Sequence, residues 1–328
     1  QASLWEVSVP EGKSKRISLS PYHDSWLSDI VSSCHSDAVA FFASSPFDPK
    51  KIMIVQHEKA GVLYSSGNKL ASADSPQHIE WKGADGESVY GILYLPSSNY
   101  EKPFPLLVDV HGGPTMQRTF SESPEAAFFV SYGYAFFQVN YRGSSGYGLP
   151  YQNALDGNWG VMEVEDVYSG VQHLMKSRMI DAAKIALMGS SSGGTTVLNV
   201  LRKYPHVFRC GICSYGIGDL IQDAENTHKF EKCYYRSLIG DMAKSRDAYL
   251  QRSPLFHVDE IQDPLLLFHG SEDPVVPPSQ SQALFDSLVQ RGIPCTLKIF
   301  EQEGHGFKRD ETIKEYYSMI VEFLDCFL

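Results

Sequence analysis

One short segment carries the residue types and spacing of a nucleophile. In "KIALMGSSSGGTTVLNV" (184–200), Gly189-Ser190-Ser191-Ser192-Gly193 fits G-x-S-x-G. An apolar run suited to a strand precedes it, and "GGTTVLNVL" suits a helix after it. A chain that passes from strand to helix within about one residue strains its backbone at the turn. Glycines two positions either side remove the Cβ atoms that would collide there. The central hydroxyl is then presented at the strand end, beside a helix N-terminus. This register makes Ser191 the candidate nucleophile and Ser190 the variable position, with Ser192 supplying a backbone N–H. Taken without its flanks, the pentapeptide would equally suit a helix-capping turn.

A serine hydroxyl is a poor nucleophile without a base and an orienting acid. In a sheet of this kind they follow the serine in the order acid, then histidine, each beyond a later strand. "PLLLFHG" is followed by "SEDPVVPP", and "CTLKIFE" by "QEGHGFKRD". Asp273 and His305 occupy those positions, with His305 between two glycines on a tight loop. Glu272 is the alternative acid. His269 stands at a strand end but precedes the acid. His228 and His257 fall in helical or connecting segments and read, like His269, as surface or packing residues.

Two further glycine-rich segments follow early strands. In "DVHGGPT" (109–115), glycines at a strand end let backbone N–H groups face a bound atom, as an oxyanion hole requires. Gly113 and Ser192 are the expected donors, with Gly112 the near alternative. "NYRGSSGYG" (140–148) has neither the G-K-[ST] of a phosphate loop nor a G-x-G-x-x-G opening a helix. Its Arg142 suits either an ion pair or a substrate-facing cation.

The elements that must position these groups divide the chain. Residues 1–76 read as short strands ("SLWEVSV", "KRISLS", "LSDIVSS", "AVAFFAS", "KKIMIVQ") rich in β-branched and aromatic residues and broken by turn formers. Residues 77–328 alternate apolar strands with helices, including "VMEVEDVYSGVQHLMKS" with one apolar face. That alternation predicts an α/β fold: a mostly parallel sheet covered on both faces, with its reactive groups at the carboxyl ends of strands.

Composition excludes other classes. The net charge of −11 opposes a nucleic-acid partner, which wants a basic surface. No apolar run approaches the ~18 residues of a membrane span, and no signal peptide opens the chain, so no membrane and a cytoplasmic location are expected. Six cysteines are too few for a disulfide scaffold. Cys210 and Cys213 spell C-x-x-C within a strand-like run, where residues three apart face opposite ways. They read as core thiols, and neither metal nor cofactor is expected.

Together "HGGPT", "NYRGSSGYG", "GSSSGG" and "GSEDPVVPP…GHGF" resemble the prolyl oligopeptidase family of serine peptidases, over residues 85–328. The resemblance implies an α/β-hydrolase domain with Ser191, Asp273 and His305 as its triad. "HGGP" is similar to the acylaminoacyl peptidase branch, which donates to the oxyanion by backbone. The dipeptidyl peptidase branch has a tyrosine where His111 stands. "DAENTHKFEKCYYRSLIG" is similar to aminopeptidase-like members such as puromycin hydrolases. Aromatics of that segment line the pocket before the scissile bond in dipeptidyl peptidases, which implies Phe230 and Tyr234 here; Arg142 is carried with them as a candidate. Core packing is the competing role for both aromatics.

The family also places a β-propeller ahead of the hydrolase domain. Residues 1–76 make fewer than two blades of ~40–45 residues and cannot close. The chain is therefore expected to be the C-terminal part of a longer protein or a shortened member. Open propeller edges invite pairing, so the expected partners are the missing propeller portion, in the same or a separate chain, and a second copy. The expected activity is hydrolysis of short peptides or aminoacyl amides from their N-terminal side through an acyl-enzyme. A carboxylesterase and a non-catalytic binding protein on the same fold are the alternatives.

Overall fold

The computed structural model describes residues 4–7, 11, 13–17, 19, 25–46, 48–67, 76–227 and 229–328 of the chain. The side chains of Glu6, Lys229, Phe230 and Lys232 lie outside that description. Contacts divide the chain into two units, residues 1–76 with 94–97 and 119–132, and the remainder.

The first unit is mainly antiparallel. Strands β1 (Leu4–Val7) and β2 (Ser14–Ile17) form a hairpin. Strands β3 (Trp26–Ser32), β4 (Val39–Ser45), β5 (Asp48–Gln56) and β6 (Lys59–Ser65) form a meander in sequence order. The two-residue turn between β5 and β6 holds His57 and Glu58 at φ 50° and 63°. Such left-handed pairs match the twist of a hairpin, and Asp37 Oδ2 accepts from the His57 N–H at 2.8 Å. Leu4, Leu19, Phe41, Ala43, Met53 and Val55 form its core. Helix α1 (Pro124–Ser131) belongs to this unit. Its approach is fixed by Glu122, which accepts from the Lys50 N–H at 2.9 Å. Sequence patterning placed that helix with the later residues and did not anticipate β6.

The second unit holds an eight-stranded sheet in the order β14-β13-β12-β11-β9-β10-β8-β7. Its strands are β7 (Gln77–Lys82), β8 (Ser88–Tyr94), β9 (Phe104–Val110), β10 (Ala135–Asn140), β11 (Ile180–Ser190), β12 (Cys210–Ser214), β13 (Leu265–Gly270) and β14 (Cys295–Phe300). β7 and β8 pair antiparallel. From β10 to β14 the pairing is parallel throughout. Strands β10, β12 and β13 are buried along their whole length, as their continuous apolar runs predict for a sheet covered on both faces. The helices are α2 (Leu149–Asn153), α3 (Met162–Met175), α4 (Ser192–Lys203), α5 (Leu220–Asn226), α6 (Lys229–Leu238), α7 (Met242–Arg252), α8 (Ser279–Gln290) and α9 (Asp310–Phe327). Helices α5 and α7 were not legible in the sequence. α6 has a strongly amphipathic but polar-rich sequence, "KFEKCYYRSL", that dilutes its apolar stripe.

Strand order reverses at β9. The chain leaves β9 for β10 on one side and returns to β11 on the other. Ligands of open α/β sheets bind at such a switch point, outside the carboxyl ends of the strands. Gly189 of β11 is in register with Val110 of β9, so the "HGGP" loop and the serine run leave the sheet side by side. Among the described residues no helix is long and apolar enough to cross a membrane.

Candidate active site

Ser191 sits between β11 and α4 at φ 57° and ψ −128°. A non-glycine residue there costs on the order of 1–3 kcal/mol and persists only where its surroundings enforce it. Packing against β9 does so. A Cβ on Gly193 would lie 2.1 Å from the Val110 carbonyl oxygen, and one on Gly189 would lie 2.5 Å from the Gly193 oxygen. Only glycine permits this approach at both positions.

The hydroxyl meets a histidine. Ser191 Oγ donates to His305 Nε2 at 2.9 Å. His305 Nδ1–H in turn donates to Asp273 Oδ2 at 2.8 Å. Asp273 comes from the loop after β13 and His305 from the loop after β14, so three separate strand ends converge. The other oxygen of Asp273 accepts from the Val275 and Val276 N–H groups at 2.8 and 3.0 Å. Burial alone would raise the Asp273 pKa. Hydrogen bonds from His269, His305 and the two valine amides outweigh it and hold the carboxyl well below the ordinary range. Asp273 is therefore an anion at any working pH. Glu272, the alternative acid, is exposed. The Tyr215 ring packs on His305 with centroids 4.6 Å apart, which narrows the imidazole's freedom.

The "HGGP" loop flanks the same serine. A Cβ on Gly112 would lie 3.3 Å from Ser191 Cβ. Gly113 has φ 124°, in the region that favours glycine, and a Cβ there would strike the Thr115 and Met116 amides at 2.9 and 2.8 Å. Among the described residues, neither the Gly113 nor the Ser192 N–H donates to a protein group. The loop is braced from behind. His111 is buried, its Nδ1–H donates to the Gly112 carbonyl at 2.8 Å, and its ring stacks on Tyr141. Burial lowers the His111 pKa to about 3, so the ring stays neutral.

A cavity opens at Ser191, bounded by Gly113, Pro114 and residues of α5 and α6. Tyr234 is on its wall, with its hydroxyl donating to Thr115 Oγ1 at 2.8 Å. The Phe230 side chain lies outside the described residues. Arg142 is a correction. It is buried away from the cavity, and its guanidinium binds Asp166 through Nε at 3.0 Å and Nη2 at 2.6 Å. Asp85 takes its remaining arm. A buried guanidinium requires carboxylates, and two here leave it nothing to offer a substrate.

His269, read from sequence as a packing residue, is buried and also faces the acid. The acidic wall of the cavity, Asp223 and Glu231, was missed, because only folding brings α5 and α6 to Ser191. Cys210 and Cys213 are both buried in β12, and burial pushes each thiol up to about 12. Among the described residues no His, Cys, Asp and Glu group could hold a metal ion.

The profile of the prolyl oligopeptidase family matches residues 119–328. The chain belongs to the prolyl oligopeptidase family. Within it, the chain is 31% identical over 258 residues to dipeptidyl aminopeptidase BIII of Pseudoxanthomonas mexicana, covering 75% of this chain and 37% of that protein. It is 28% identical over 256 residues to the acylamino-acid-releasing enzyme of Sus scrofa, covering 76% of this chain and 34% of that enzyme. The solved structure of a puromycin-hydrolyzing peptidase of Mycobacterium tuberculosis superposes with a TM-score of 0.92 at 30% identity, covering 99% of this chain and 50% of that one. The fold of the second unit is thus the family's α/β-hydrolase fold. The chain spans between a third and half of the length of these relatives.

Proposed function

We propose that this chain carries the catalytic machinery of a serine peptidase that cleaves short peptides or aminoacyl amides from their N-terminal side. The observation that carries the reading is the relay from Ser191 Oγ through His305 to Asp273, at 2.9 and 2.8 Å. The strained elbow, the two N–H groups without a protein acceptor among the described residues and the family membership support it.

In this reading Ser191 Oγ attacks the scissile carbonyl while His305 Nε2 takes its proton. Asp273 holds the ring with Nδ1–H and stabilises the imidazolium that forms. The Gly113 and Ser192 N–H groups bind the oxyanion, whose stabilisation is worth about 3 kcal/mol per donor. His305 then returns the proton to the leaving amine, and water repeats the sequence on the acyl-enzyme. The four-stranded order β3-β4-β5-β6 supports a second reading, that the first unit is a blade of a β-propeller.

Labelling with a fluorophosphonate, followed by peptide mapping, tests the assignment. The label is expected on Ser191, and Ser191→Ala is expected to lose it together with about 10⁴-fold or more of kcat. Label on Ser190 or Ser192, or label retained in Ser191→Ala, would refute it. Comparing kcat/KM for an aminoacyl amide and a matched ester separates a peptidase from an esterase.

A further inference from the structure

Tyr215 follows β12 with φ 42°. A bulky residue in that left-handed region is an outlier and persists only where its surroundings enforce it. The peptide before it shows how. The Ser214 carbonyl accepts from the Ser191 N–H at 2.9 Å, and the Tyr215 N–H donates to the Phe268 carbonyl at 2.7 Å. One peptide unit is thus tied to the nucleophile on one side and to β13 on the other. Space filling gives no reason for an aromatic residue here, since glycine or asparagine fits such a backbone without strain. Strain of this kind clusters at functional sites.

The strained backbone delivers the Tyr215 ring to His305. Their centroids lie 4.6 Å apart, with the planes tilted by 58°. Phe307, from the same loop as His305, meets the Tyr215 ring near a right angle at 5.6 Å. Ser191 and Asp273 already engage both His305 nitrogens. What Tyr215 brings to the imidazole is therefore its π system. A cation within about 6 Å of an aromatic centroid is attracted to the ring, more strongly where water is partly excluded. The His305 side chain is 22% exposed.

We propose that Tyr215 is a positioning residue of the relay, whose ring holds His305 in line and stabilises the imidazolium formed as Ser191 attacks. The inference rests on the proposed peptidase reading of Ser191, His305 and Asp273. The proton passes from Ser191 Oγ to His305 Nε2, and Tyr215 neither gives nor takes one. The charged groups around His305 are separate from the ring. Asp273 binds it from the loop after β13, with Glu272 beside that acid and exposed. Asp223 of α5 acts on it electrostatically. Its own loop carries Glu303, which accepts from the Lys308 and Arg309 N–H groups. His269 acts through Asp273. A substitution at Tyr215 changes none of these charges.

The rate at which a small alkyl fluorophosphonate labels Ser191, followed from about pH 5 to pH 9, tests the proposal without a chosen substrate. Tyr215→Leu keeps the bulk and the same backbone demand but removes the π face. Its maximal labelling rate is expected to fall about tenfold, the worth of one partly desolvated cation–ring contact. The acid limb of its profile is expected to move to lower pH, by up to about 1, because a less favoured imidazolium leaves His305 neutral further into acid. Tyr215→Phe retains the ring and is expected to match the wild-type protein in both respects. Phenylalanine carrying three ring fluorines at position 215 keeps the shape with a weakened face, and is expected to behave as Tyr215→Leu does; should Tyr215→Leu not fold, the fluorinated chain decides by itself. A slower rate with an unmoved acid limb overturns the proposal, as does a fluorinated ring that behaves like plain phenylalanine. Tyr215→Phe as slow as Tyr215→Leu also overturns it, by assigning the effect to the hydroxyl. Labelling indifferent to the ring at 215 sinks this inference alone, whereas a wild-type protein whose Ser191 takes no label removes the peptidase reading and this inference with it.

Discussion

His269 Nε2 lies 3.4 Å from Asp273 Oδ2, the same oxygen that receives the His305 proton donor. The His269 ring is fully buried, with Nδ1 2.7 Å from Ser281 Oγ and Nε2 2.8 Å from the Val276 carbonyl. Both groups facing Nε2 are acceptors, so that nitrogen carries the proton and Ser281 donates to Nδ1. The acid is thereby positioned by a second histidine that never meets the substrate.

Replacing that histidine should disturb the relay more than the binding cavity, whose wall it reaches through the Val276 carbonyl. His269→Gln is expected to lower kcat about tenfold, the low end for a lost hydrogen bond to a charged group, and to change KM less. The rate of Ser191 labelling should fall in parallel, since it depends on the same alignment. An unchanged labelling rate in a folded variant would show that Asp273 is held without His269.

Arg142 gives the opposite outcome. Its partner Asp166 has a fully buried side chain. Arg142→Met leaves that carboxylate uncompensated, at a cost of about 3–5 kcal/mol. Urea unfolding is expected to show the loss, while KM per folded molecule stays at the wild-type value. A raised KM with unaltered stability would return Arg142 to the substrate.

Glu163 on α3 makes stability depend on pH. Its carboxyl is buried, with Oε1 accepting from the Gly160 N–H at 2.7 Å and Oε2 without a partner among the described residues. Burial pushes its pKa up to about 7 from an ordinary 4.5. Below the ordinary value both folded and unfolded chains are protonated, and the residue imposes no ionic penalty. As pH rises to about 7 the unfolded chain releases its proton first, so stability is lost through that window. Glu163→Gln removes the window. Relative to wild type, the variant should gain on the order of 2–3 kcal/mol between about pH 4 and pH 8. Parallel urea curves at the two pH values measure it; a constant difference would mean that Glu163 does not titrate.

The order of the candidates Ser191, Asp273 and His305 was readable because each lies beyond a strand-like run and is followed within two residues by glycine or proline. The α/β class was readable for the same reason. The helices after β12 were less so. Asp223, Glu231 and Tyr234 fall in "DAENTHKFEKCYYRSLIG", whose polar residues mask the helical period. Nothing in their spacing says that two carboxylates and an aromatic ring end beside Ser191.

Local signals thus determined which residues could react and on what kind of sheet they stand, because strand runs, turn glycines and their order are properties of neighbouring residues. Tertiary structure alone decided how they meet. It set the 2.9 and 2.8 Å contacts of the relay and forced Gly193 against β9. It gave Arg142 to Asp166 rather than to a substrate, and placed His269 on Asp273. Each of these joins groups far apart in the chain, and close packing of the sheet and its helices, not local spacing, fixes their separation.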